Sequence, residues 1–145
     1  MIKTKIVFII FILLSIFIFP YSFLFLKIDF ISSITPGWNT IIYHYGALIK
    51  FFFLMISAFF CWKLSKVINE INIKKIALYL LLTMPAVIIT KLNLFELFNF
   101  NSTDPENFMK QIQIIVLIKI LTNILFISAQ IMFWVYYKKS KQKLT

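Results

Sequence analysis

The stretch Lys63-Leu64-Ser65-Lys66-Val67-Ile68-Asn69-Glu70-Ile71-Asn72-Ile73-Lys74-Lys75 joins two long apolar segments and sets Lys63, Lys66, Lys74 and Lys75 against Glu70. A short lysine-rich connection between apolar segments stays on the cytoplasmic side of a membrane, because such loops resist translocation. This assignment fixes the direction of every other segment. It predicts an all-α integral membrane protein, a four-transmembrane-helix bundle with both termini inside and a short interfacial helix between spans three and four.

Composition leads to the same class. Of 145 residues, 61% are hydrophobic and 19% aromatic, whereas soluble domains are roughly half apolar. No Pro-, Gly- or Ser-rich linker divides the chain, so residues 1–145 form one membrane domain. The net charge of +10 comes from lysine alone among the basic residues. Those lysines lie in short flanks beside apolar runs, not on one amphipathic face, so membrane lipid is the implied partner and nucleic acid is not. Cys61 is the only cysteine, which excludes an internal disulfide or a cysteine cluster. It reads as core packing, with palmitoylation as the sharper alternative.

The spans fall at about 6–26, 45–62, 76–92 and 112–137, with the interfacial segment at 92–100. Behind Lys3 and Lys5, the run from Ile6 to Leu26 is too long for a signal core and lacks a small-residue cleavage site. It reads as an uncleaved first span, kinked at Pro20. Pro36-Gly37 is a turn signal in the outer loop, and Trp38, Tyr43 and Tyr45 return the chain to the interface. Lys50, about one turn below that surface, is expected to snorkel outward. The third span meets Lys91 about 22 Å of helix after Ile76, short of a hydrocarbon core of about 30 Å, and contains Pro85. Asp104-Pro105-Glu106 starts the fourth helix, with Asp104 as cap and Pro105 at the first helical position.

The charge distribution fits this arrangement. Lys3, Lys5, Lys63, Lys66, Lys74, Lys75, Lys138, Lys139, Lys141 and Lys143 fall inside. Lys27, Lys91 and Lys110 fall outside, as do Asp29, Glu96, Asp104 and Glu106. An inverted topology would reverse the lysine bias at three separate places.

Helical positions seven apart share a face. That spacing aligns Ser15, Ser22 and Asp29; Tyr43, Lys50 and Ser57; Thr83 and Thr90; and Asn123, Gln130 and Tyr137, with Lys119 joining the last face. These stripes read either as packing seams with hydrogen bonds between helices or as a pocket open to the outer face. In the second case Lys119, Asn123 and Gln130 line it, and Asp29 or Glu96 supplies the counter-charge. His44 lies between two tyrosines at the outer mouth of span two. It reads as an interfacial residue, with proton relay as the functional alternative. The candidate ligand-binding set is therefore Lys119, Asn123, Gln130, Asp29, His44, Trp38 and Lys50. One His and one Cys make a protein-only transition-metal site unexpected, and the residues identify no cofactor.

The segment Asp29-Phe30-Ile31-Ser32-Ser33-Ile34-Thr35-Pro36-Gly37-Trp38-Asn39-Thr40 resembles a membrane-surface segment of NrfD-like quinol-oxidising subunits, in which an Asp-aromatic pair, a Ser and a Trp fall at comparable spacing. Phe30 stands where that family has Trp, Ser32 where it has Met. The resemblance implies quinol binding and electron or proton transfer, carried by Asp29, Ser33 and Trp38.

The sequence contains no Ser-His-Asp set, phosphate loop, paired catalytic carboxylates or metal-ligand cluster. The expectation is a non-catalytic accessory or structural subunit of a complex in a bacterial inner membrane. The alternatives are a small-molecule or ion-binding bundle using the outer polar seam, and a quinol-linked redox subunit.

Overall fold

The computed structural model describes residues 1–21, 45–92, 94 and 105–142. Within them lie α1 (Thr4–Ile18), α2 (Tyr45–Ser65), α3 (Ile73–Lys91) and α4 (Pro105–Gln142). Three of these, over Gly46–Ser65, Ile73–Lys91 and Asn107–Gln142, are long and apolar enough to cross a membrane. Their outer faces carry large apolar side chains, Leu81 69% exposed and Phe52 60%. A surface of this kind is suited to hydrocarbon rather than water. The chain is thus a helical membrane protein.

The first helix is shorter than the run of apolar residues suggests. Rather than reaching Leu26 with a kink, α1 ends at Ile18, and Phe19 is extended at φ −53° and ψ 128°. The cause is Pro20: its ring disfavours the helical conformation in the residue before it, and it has no N–H to continue the ladder. Fifteen residues span about 22 Å, so α1 alone is shorter than a hydrocarbon core of about 30 Å. Pro85 behaves differently, because α3 runs through it to Lys91. α3 begins on Asn72, whose side chain accepts from the Lys74 N–H at 3.0 Å. The 38 residues of α4 reach about 57 Å, well beyond the core thickness, so this helix also carries the flanking polar residues. The expected cap at Asp104 and most of the expected interfacial segment at 92–100 lie outside the described residues.

Buried positions recur every seven residues in each helix. They include Thr4, Phe11 and Ile18 in α1; Ala47, Leu54 and Cys61 in α2; Ile76 with Thr83 and Tyr79 with Ala86 in α3; and Phe126, Phe133 and Ser140 in α4. A seven-residue repeat keeps one seam turned toward its neighbours, and small residues within it let backbones approach. One core cluster joins all four helices through Val7, Phe11, Cys61, Tyr79 and Phe133. A second, nearer the other end, gathers Leu14, Ile18, Leu54, Val87 and Phe126.

An extended contact ties the start of the chain to the lysine-rich connection. β1 (Ile2–Lys3) pairs antiparallel with β2 (Glu70–Ile71), Ile2 opposite Ile71 and Lys3 opposite Glu70. The Thr4 N–H donates to Asn69 O at 2.9 Å, and the Thr4 hydroxyl donates to Ile68 O at 2.6 Å. Cys61 Sγ lies 3.8 Å from Thr4 O, and the Cys61 side chain is fully buried.

Candidate polar seam between the helices

The α2, α3 and α4 seams meet at Gln130. Its Oε1 accepts from the Ser57 hydroxyl at 2.7 Å, and its Nε2 donates to the Tyr79 hydroxyl oxygen at 3.1 Å. Three helices are joined by one amide. Ser57 and Gln130 are the pair that seven-residue spacing brings forward; Tyr79 is the member it misses. Tyr79 lies four residues before Thr83 on the same face, and a buried tyrosine hydroxyl ordinarily finds a partner, which is the signal that could have found it. Thr83 bonds back to Tyr79 O at 2.9 Å and Ser15 to Phe11 O at 2.8 Å, so these hydroxyls are satisfied within their own helices.

Toward the other end, Lys50 Nζ donates to the Thr90 hydroxyl at 2.8 Å, and that hydroxyl donates to Ala86 O at 2.6 Å. Lys50 therefore lies sideways across α2 and α3, half-buried. Lys119 and Asn123 are exposed on α4, while Tyr137 packs against Phe60 with ring centroids 4.9 Å apart. Lys91 closes the end of α1: its Nζ donates to Phe19 O at 2.9 Å and lies 5.2 Å from the Tyr21 ring centroid. A cation beside carbonyls freed at a helix C-terminus satisfies them and suits the dipole.

Of the candidate ligand-binding residues, the structure brings Gln130 and Lys50 into contacts between helices and leaves Lys119 and Asn123 exposed on α4. Asp29, Trp38 and His44 lie outside the described residues, as does the whole segment that resembles NrfD-like subunits. No group of three or more His, Cys, Asp or Glu able to hold a metal occurs among the described residues.

The lysine-rich end carries an aromatic belt. Lys66 Nζ lies 3.8 Å from the Trp62 ring centroid, Lys63 4.7 Å from Phe59, Lys75 4.6 Å from Tyr136 and Lys138 5.5 Å from Trp134. Tryptophan and tyrosine favour the membrane–water boundary, and cation–π contact holds the ammonium groups over their rings. Between α3 and α4 at this end lies a cavity of about 300 Å³ with Lys75, Tyr136 and Lys139 among its lining residues.

No protein-family model, curated protein or solved structure matches this chain.

Proposed function

We propose that this protein is a non-catalytic accessory subunit of a complex in a bacterial inner membrane, crossing it four times with both termini in the cytoplasm. The observation that carries the accessory reading is Asn123, exposed at the middle of the long apolar helix α4. An amide facing hydrocarbon gains by bonding to a second membrane helix. The Ser57–Gln130–Tyr79 contacts support the same reading, since they direct these polar groups toward one another. For the orientation, the support is charge. The β1–β2 pairing and the Lys75–Tyr136 contact gather the N-terminus, the α2–α3 connection and the end of α4 into one lysine-rich face. α1 takes part as the fourth crossing, and in the sequence the apolar run continues past it through Phe23 and Leu26.

Gentle detergent extraction followed by native mass spectrometry tests the assembly. The chain should leave the membrane with a stoichiometric membrane partner, and Asn123→Leu should weaken that association. Recovery of the wild-type chain alone would overturn the proposal. Orientation is read by labelling single cysteines, placed at Asn39 or Lys66 in a Cys61→Ala background, with an impermeant thiol reagent. Asn39 should label from outside and Lys66 only after the membrane is opened.

The Lys50–Thr90 contact between α2 and α3 favours a second reading, a small-molecule or ion-binding bundle that uses the polar seam at that end. It requires ligand-dependent stabilisation that Lys119→Leu abolishes, whereas the accessory reading leaves assembly unchanged by that substitution.

A further inference from the structure

The cavity between α3 and α4 has its charge at one end. Lys75 lies in the first turn of α3, and Lys139 lies one turn beyond Tyr136 on α4. Both line the groove at this end, with Lys75 held 4.6 Å from the Tyr136 ring centroid. From that end the apolar walls, Ile76 and Leu78 on one side and Met132 and Val135 on the other, lead away along the helices. The seven residues from Lys139 back to Met132 cover about 10 Å. No acidic side chain lines the cavity, so two lysines border an apolar slot with no protein counter-charge among its lining residues. The surrounding aromatic belt sets this end at the depth of lipid headgroups.

We infer that this groove binds one anionic glycerophospholipid, its phosphate between Lys75 and Lys139 and the first part of an acyl chain along Ile76, Leu78 and Val135. Charge complementarity selects the headgroup, because a zwitterionic lipid offers no net charge to two unopposed lysines. The shape selects a lipid over free phosphate, which would leave the apolar slot unfilled. Basic pockets between membrane helices are suited to such headgroups on general grounds. The inference needs only that the chain lies in a membrane. It stands apart from the accessory role and from the direction in which the helices run.

The test is native mass spectrometry of the full-length protein from micelles containing equal phosphatidylglycerol and phosphatidylcholine. Wild type should retain one phosphatidylglycerol with about a thirtyfold preference, the order expected of two interfacial lysines. Joint replacement Lys75→Gln and Lys139→Gln should remove the preference. Val135→Trp, which fills the slot and leaves both charges, should expel the lipid. Lys3→Gln with Lys5→Gln, at the same end but outside the groove, should leave retention unchanged. The inference is overturned if wild type shows no preference, if Val135→Trp holds the lipid as wild type does, or if the Lys3 and Lys5 exchange lowers retention as much as the groove pair.

Discussion

Gln130 accepts from Ser57 and donates to Tyr79, so truncating it strands two hydroxyls at once. Gln130→Leu should destabilise the folded protein by about 1–2 kcal/mol, and Ser57→Ala by roughly 0.6 kcal/mol, the scale of hydrogen bonds between membrane helices. Unfolding in mixed micelles would measure both, and the double variant should fall short of their sum, because the same Ser57–Gln130 bond is lost in each single change. The two residues at seven-residue spacing were legible in the sequence because small polar groups stand out in an apolar run. Tyr79 was not, since its ring reads as interface or core and only packing reveals where its hydroxyl reaches. Cys61 makes a second case. Its side chain is fully buried, so the thiol should resist maleimide in the folded protein and react once the protein is unfolded; rapid labelling of folded protein would contradict this packing.

At the scale of elements, α2, α3 and α4 were legible because their apolar runs end in lysine or turn signals. The end of α1 was not, because apolar residues continue beyond it and hydropathy alone does not register the local block at Pro20. Pro20→Leu should therefore lengthen α1 past Phe19, seen as slowed exchange of the Tyr21 amide and a protected amide at residue 20. It should also release Lys91, whose partner is a carbonyl freed by that helix end. Unchanged exchange would mean that another contact terminates α1. The β1–β2 contact lay below the reach of any sequence pattern, since two residues on each side carry no periodicity. It becomes visible only when the loop and the N-terminus are folded beside one another.

For the molecule as a whole, lysine position governs the proposed orientation more than any single contact does. Replacing Lys63, Lys66, Lys74 and Lys75 with Gln should allow a fraction of chains to insert in the opposite sense. A single cysteine at Lys141 would then become partly reactive to impermeant reagent from outside. Complete protection would show that the remaining lysines suffice. The candidate outer residues Asp29, Trp38 and His44 lie outside the described residues, so their part in any site rests on sequence alone.

The pairing of Ile2 with Ile71 also orders events during synthesis. Synthesis runs from N- to C-terminus, so α1 leaves the ribosome before its docking strand, which emerges only after all of α2. Until then the leading segment is unlatched, and its final seating waits on the connection that separates the α1–α2 pair from the α3–α4 pair.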